Sequence, residues 1–351
     1  ISEGARTDAR DNDMKNIIIT GATGAVGMAL VRKYLESGDR VFAVLHQDSA
    51  RNDRLPEHER LVRVYCSMEE YEVLPDLLKL AGENDMASGE FITGDVFYHF
   101  AWAGTSGPSR NDMDLQAQNI ARTMTAVRAA SGLECHTFIG AGSQAEYGRV
   151  EGALTPETPC FPENGYGMAK LAAGQMTRKR CEELGIRHIW PRILSVYGPY
   201  DGEQSMVMSA ARSFLAGVSP DFTAGEQQWD YLFAEDAAEI LFRLAESGRD
   251  GQIYPVGSGE ARPLADYIRM IAAAAAEVTG QMTEPRLGAR PYAEKQVMYL
   301  KADVSAIERD LGLVRGEGFG TAPEEGIRKT VRWCAEHPLQ APASAEGSLP
   351  L

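Results

Sequence analysis

The 351-residue chain lacks any apolar run approaching the ~18 residues that a membrane-spanning helix needs. It also lacks positive charge: 50 acidic residues against 35 Lys and Arg leave a net charge of −15. Such a balance gives no basic face for the phosphates of a nucleic acid, so none is expected as a partner. Paired cysteines are missing as well. Cys66, Cys135, Cys160, Cys181 and Cys334 are odd in number and show no metal-type spacing, which fits reduced thiols in a cytoplasmic protein. The six histidines are scattered, with no pair four apart beside a glutamate, so no metal is expected. Ile1–Asp13 is polar, with no apolar signal segment, and reads as a frayed leader ahead of a start near Met14.

What is present is ample apolar content, 44%, enough for one large core with a smaller lobe attached. Strand-like runs are expected at 17–20, 41–45, 61–65, 96–100, 136–140 and 187–193. Helical patterns are expected between them at 25–36, 71–80, 115–130 and 167–183. That alternation predicts an α/β chain with a doubly wound parallel sheet over residues 14–200. Residues 201–337, with helices at 207–216, 234–247, 264–277 and 324–335, predict a smaller C-terminal substrate lobe, some of its elements interleaving with the first. The ends, 1–13 and 338–351, are expected to be flexible.

Two constellations carry chemistry. The strand Ile17–Thr20 runs straight into Gly21-Ala22-Thr23-Gly24-Ala25-Val26-Gly27 and then a helix, a strand–turn–helix order that suits a diphosphate. Its glycines are spaced three and three. Far downstream, Tyr166 and Lys170 stand four apart on one helical face, where the cation favours phenolate. Chance alone would give about 0.3 such pairs in a chain with this many tyrosines and lysines. Ser143, in Gly140-Ala141-Gly142-Ser143, follows the fifth strand at the carboxyl edge of the sheet, where open α/β sheets bind ligands.

With the segments His99–Gly104, Pro191–Pro199, Trp229–Asp236 and Ala302–Ser305, these motifs make the chain resemble an extended short-chain dehydrogenase/reductase of the nucleotide-sugar epimerase/dehydratase family, from Met14 to about Cys334. The resemblance implies a Rossmann-type sheet and a homodimer paired through the helices at 115–130 and 167–183. It makes Tyr166 the acid/base, Lys170 its electrostatic partner and a holder of the nicotinamide ribose, and Ser143 a hydrogen-bonding partner of the reacting oxygen. The implied cofactor-binding set is Gly21, Thr23, Gly24, Ala25, Val26, Gly27, His46, Arg51, Ser67, Ala101, Trp102, Ala103, Tyr166, Lys170, Pro191 and Ile193. Gln144, Trp229 and Arg290 are the implied substrate contacts. His99 is expected to be a packed core residue, and Arg192 an anchor of the sixth strand.

Three departures sharpen the expectation. Dehydratases of the family carry an Asp-Glu pair after the hydroxyl residue; here Gln144 and Ala145 stand there, with Glu146 one place too late, which argues against a 4,6-dehydratase. No carboxylate ends the second strand, where Leu45 and His46 stand, while Arg51 and Arg54 follow within reach of a 2′-phosphate. Ser67 replaces an aspartate that often contacts adenine. NADP is therefore expected ahead of NAD. Trp229 replaces an arginine that relatives use on the substrate diphosphate, leaving Arg290 for that task. The expected activity is that of a nucleotide-sugar 4-epimerase or a 4-keto-6-deoxy-sugar reductase. A reductase of small non-nucleotide carbonyl compounds and a non-catalytic cofactor-binding protein are the alternatives.

Overall fold

The computed structural model describes residues 14–83 and 93–339; the expected leader and nearly all of the expected tail lie outside the described residues. In chain order the elements are β1 (Asn16–Thr20), α1 (Ala25–Ser37), β2 (Arg40–Leu45), β3 (Leu61–Tyr65), α2 (Leu74–Glu83), β4 (Val96–His99), α3 (Met113–Gly132), β5 (Thr137–Gly140) and β6 (Gly142–Ser143). Next come α4 (Gly165–Leu184), β7 (Arg187–Ile193), β8 (Ser195–Tyr197), α5 (Met206–Leu215), β9 (Gln228–Trp229), β10 (Tyr231–Phe233) and α6 (Ala234–Ser247). The last are β11 (Ile253–Val256), β12 (Arg262–Pro263), α7 (Leu264–Thr279), β13 (Tyr299–Leu300), α8 (Ser305–Leu311) and α9 (Pro323–Glu336).

Strands β11, β7, β5, β4, β1, β2 and β3 lie side by side in that order, all parallel, with β6 beside β7. Because helices cover both faces, the strands need apolar residues on both sides, which is why β1 reads as an unbroken Ile run. Ile17, Ile19, Ala43 and Tyr98 face the layer holding α1 and α6; Ile18, Phe42, Phe97 and Phe138 face the layer holding α2 and α3. Order reverses between β1 and β4, the switch point at which such sheets open a ligand crevice.

A separate core forms where α5, α7 and α9 meet around Met208, Phe214, Ile268, Ile271 and Val331. The chain past residue 200 also returns to the sheet, since α6 packs on α1 and β11 adds to β7, with Ile253 opposite Trp190. Local chemistry moved some boundaries. α4 starts at Gly165, two residues before the expected helix, because Asn164 caps it by accepting a hydrogen bond from the Gly167 N–H at 2.8 Å. α2 starts at Leu74 rather than Tyr71, since Met68–Glu70 winds a tighter turn and buries Tyr71 as an anchor. α8 had no counterpart among the expected helices.

Candidate active site

The carboxyl ends of β1, β4, β6 and β7 open onto a cleft with an inner and an outer half. Gly21 leaves β1 with φ +71°, and a Cβ there would lie 2.8 Å from the Ala101 nitrogen, so only glycine lets the turn pass under the loop after β4. Gly27 packs α1 down onto the same turn; a Cβ there would overlap the Gly21 carbonyl. Gly24 differs. The one atom its Cβ would approach is the Gly21 oxygen, at an ordinary 3.8 Å, and the residue lines both halves of the cleft. As N-cap of α1 it offers no side-chain acceptor, so the N–H groups of the first turn stay open to the cleft. A dinucleotide diphosphate fits this cradle, in space that neither side chain nor backbone fills.

The inner half encloses about 290 Å³. Ala25, Val26, Trp102, Ser143, Tyr166, Lys170 and Ile193 line it. Ser143 ends β6, and its hydroxyl accepts from the Ala145 N–H at 3.2 Å and hydrogen-bonds the Tyr166 phenol. Lys170, one turn after Tyr166 on α4, donates to the Ala141 carbonyl at 2.7 Å and stands 3.8 Å over the Trp102 ring. The Arg110 guanidinium lies 4.3 Å from the centre of the Tyr166 ring. Burial pushes the Lys170 ammonium down to about 7, with Glu146 opposing. Burial also raises the Tyr166 phenol above its ordinary value, against the pull of the Ser143 hydrogen bond and Arg110. Burial therefore drives the proton affinities of the two groups apart, the phenol upward and the ammonium downward.

The loop carrying Ala101, Trp102 and Ala103 is pinned by α3. Asn119 takes the Ala103 N–H at 3.2 Å and gives back a bond to its carbonyl at 2.9 Å, while Gln116 binds the Trp102 indole N–H at 2.9 Å. Both amides are buried. The reading of the sequence missed them; two amides three apart on the buried side of a helix were the signal available. His99 is a core residue between the hydroxyls of Thr20 and Thr123, at 3.1 and 3.2 Å, and burial holds its imidazole down at about 3, hence neutral.

Beneath the site lies a buried charge pair. The Glu146 carboxylate accepts from Arg192 Nε at 2.7 Å, from the Trp190 indole at 3.0 Å and from the Ser143 backbone N–H at 2.8 Å. Gly140, Gly142 and Gly174 leave the room that the Trp190 ring occupies. Arg192 thus anchors β7, and Glu146 is turned into the core and away from the cavity.

The outer half is larger, about 580 Å³, and Thr23, His46, Arg51, Ser67, Ala101 and Ala103 are among its lining residues. His46 is exposed just past β2, its carbonyl taking the Asn52 amide at 2.9 Å. Arg51 is exposed and makes no side-chain hydrogen bond or ion pair among the described residues. Arg54, expected beside it at a 2′-phosphate, instead donates to the carbonyls of Thr23 and Tyr200 at 3.3 and 3.4 Å and braces the glycine turn. The Ser67 hydroxyl donates to Glu70 at 2.8 Å.

Four expected contacts line neither half. Pro191 is buried within β7, and Gln144 is partly buried beside Ser143. Trp229 donates its indole N–H to Ser195 at 2.9 Å, and Arg290 sits in an exposed turn tied by its backbone N–H to Phe222. Among the unanticipated residues of the inner half is a carboxylate, Asp201, which accepts from the Gly202 N–H at 2.7 Å and whose carboxyl is raised by burial. Among the described residues no group of His, Cys, Asp or Glu has a metal-holding arrangement, and no helix is long and apolar enough to cross a membrane.

A seven-strand parallel order, a glycine cradle at its switch point and Ser, Tyr and Lys gathered at the inner end define an enzyme of the extended short-chain dehydrogenase/reductase class. The model of the NAD dependent epimerase/dehydratase family matches residues 17–257, and the chain belongs to that family. A dTDP-glucose 4,6-dehydratase of Neisseria gonorrhoeae is 25% identical over 91% of this chain and 95% of its own length. A UDP-N-acetylglucosamine 4-epimerase of Methanobrevibacter ruminantium shares the fold with a TM-score of 0.78 at 21% identity, over 92% of this chain and 99% of that one. A UDP-glucose 4-epimerase of Thermotoga maritima does so at 0.76 and 22%, with the same coverage of both chains. A dTDP-glucose 4,6-dehydratase of Bacillus anthracis, solved with NAD, does so at 0.75 and 16%, over 92% of this chain and 97% of that one.

Proposed function

We propose that the protein is an NAD(P)-dependent oxidoreductase acting at a sugar carbon of a nucleoside diphosphate sugar, as a 4-epimerase or a 4-keto-6-deoxy-sugar reductase. The observation that carries this reading is the gathering of Ser143, Tyr166 and Lys170 in one cavity against the glycine turn. The nicotinamide supplies hydride exchange with the sugar carbon. Tyr166 exchanges the proton of the hydroxyl on that carbon, Ser143 holds the same oxygen, and the Lys170 charge makes the phenol easier to ionise. Gly24 and the first turn of α1 would hold the diphosphate, and Ile193, lining the inner half, would help hold the nicotinamide.

Loss of water across C5 and C6 requires a base at C5 and an acid at the C6 hydroxyl. The segment after Ser143 offers neither: Gln144 and Ala145 carry no carboxyl, and Glu146 is committed to Arg192 and Trp190. Asp201 is the one carboxylate among the residues lining the inner half. Oxidation followed by return of hydride, or reduction alone, is therefore favoured over dehydration. At the outer half, His46 where a carboxylate would directly follow Leu45, and an Arg51 side chain without a partner among the described residues, favour NADP. Five free cysteines support a cytoplasmic location. The packing of α3 against α4, with Met168 and Met176 exposed on α4, supports a homodimer through those helices.

The test is to identify the dinucleotide that copurifies, then incubate the protein with UDP- and dTDP-sugars with and without NADPH. Turnover without added reductant identifies an epimerase, and stoichiometric NADPH consumption a reductase. A second reading, reduction of a small carbonyl compound without a nucleotide, is favoured by one observation: Trp229 and Arg290 line neither half of the cleft. Silence with every sugar nucleotide, together with turnover of such a carbonyl, overturns the first reading in its favour.

A further inference from the structure

Glu146 and Arg192 are 0% and 1% exposed in their side chains and form the one ion pair among the described residues with both partners buried to that degree. Burying two charges is costly unless geometry and further hydrogen bonds repay it, and a packed apolar pair often serves stability as well or better. The position of this pair gives it another use. One Glu146 oxygen takes the Ser143 N–H and the Trp190 indole, while the other takes Arg192. The Arg192 guanidinium in turn covers the Tyr147 ring at 4.4 Å. Two residues before Ser143, the Ala141 carbonyl holds the Lys170 ammonium. The segment 141–143, which contains β6, is therefore held at Ser143 by Glu146 and at Ala141 by Lys170, and its end presents the hydroxyl beside Tyr166. A Cβ on Gly142 would lie 2.7 Å from the Glu146 carboxylate, so glycine there is part of the same construction.

We propose that the Glu146–Arg192 pair is a positioning device for proton transfer, in which Glu146 fixes Ser143 through its backbone and lends its negative charge to the Tyr166–Lys170 site, while Arg192 cancels most of that charge. The pair touches neither substrate nor dinucleotide. It acts through the strand end and through the field at the phenol and the ammonium. Glu146 raises the proton affinity of both groups, Tyr166 and Lys170, so removing its charge lowers both together. Removing Arg192 leaves Glu146 uncancelled and raises both. The other titratable groups around them are Arg110, which lowers the phenol, Asp201, which lines the same half of the cleft with its carboxyl raised by burial, and His99, which burial keeps neutral. All three stay in place in the variants below.

The inference rests on Tyr166 being the proton-transfer residue, and its test needs no substrate, so its failure is distinct from a failure of the proposed reaction. The phenol of Tyr166 is titrated by NMR in full-length protein labelled with carbon-13 at the tyrosine Cζ, with Tyr166→Phe assigning the signal. The expected result is a fall of about one pH unit in Glu146→Gln and a rise of similar size in Arg192→Met. The double variant Glu146→Gln/Arg192→Met should return to within a few tenths of the parent, and it keeps the test alive if either single variant fails to fold. In that case the double variant is compared with Glu146→Leu/Arg192→Met, where loss of the acceptor for the Ser143 N–H should alter the Ser143–Tyr166 hydrogen bond and so move the titration again. A merely structural pair would lower stability and leave the Tyr166 titration unmoved. Coincident curves, shifts of the opposite sign or no Tyr166 titration in any folded protein overturn the proposal.

Discussion

The two halves of the cleft are built by opposite means. At the inner end, side chains are buried and tied: Ser143 to Glu146 and Tyr166, Lys170 to Ala141, Trp102 to Gln116, and the loop at Ala103 to Asn119. At the outer end, His46 and Arg51 stand exposed on a turn after β2, and the Arg51 side chain has no partner among the described residues. Proton and hydride transfer need fixed geometry and a low-dielectric setting, while recognition of an adenosine ribose needs only a charge in reach. Buried side-chain bonds are concentrated at the end where the proposed chemistry would take place.

That contrast sets the scale of what substitutions should do. Tyr166→Phe removes the proposed proton carrier at the tied end and should lower kcat by roughly 10²–10⁴-fold with little change in dinucleotide affinity; near-normal turnover would remove Tyr166 from its role. Lys170 in the dinucleotide-free protein should titrate near 7 instead of the ordinary 10.5. Its ammonium is present and unreactive below that pH, and the amine becomes free as the pH rises through it. Carbamylation by cyanate, followed peptide by peptide by mass spectrometry, reads this directly, and a half-point like that of surface lysines would contradict the burial argument.

Smaller effects separate the two uses of glycine. Gly27→Ala forces a methyl against the Gly21 carbonyl and should destabilise the apoprotein by about 1–3 kcal/mol, read by chemical denaturation. Gly24→Ala has open space within the protein, so stability should be unchanged while dinucleotide affinity falls by about tenfold, measured by calorimetry. Equal affinity would mean that the diphosphate does not lie against Gly24. At the soft end, Arg51→Ala should weaken NADP by roughly tenfold and leave NAD unchanged, because a single exposed charge-assisted contact is lost. An unchanged ratio would remove the case for NADP.

Much of this was legible beforehand. Strand β1, the glycine turn and α1 could be read because strand, turn and helix chemistry sit within about twenty consecutive residues, and Tyr166 with Lys170 because helical spacing places them on one face. The ends of α2 and α4 were less legible, since a tight turn at Met68–Glu70 and a cap from Asn164 decided them. Arg54 was misjudged for the same kind of reason. Whether an arginine faces solvent or bonds the carbonyls of Thr23 and Tyr200 depends on a residue 146 positions away.

By itself the sequence determined the parallel sheet, and it brought forward the glycine turn and the Ser143, Tyr166 and Lys170 set that the proposed function uses, because periodicity and local turn chemistry act over short stretches of chain. Only the tertiary structure decided where Glu146 points, what occupies the space left by Gly140, Gly142 and Gly174, that Asn119 and Gln116 hold the loop after β4, and that Asp201 enters the inner half. Each of these depends on contacts between segments far apart in sequence. In a packed interior such contacts are settled by volume and by the need to satisfy every buried polar group, and neither can be read from one stretch of chain alone.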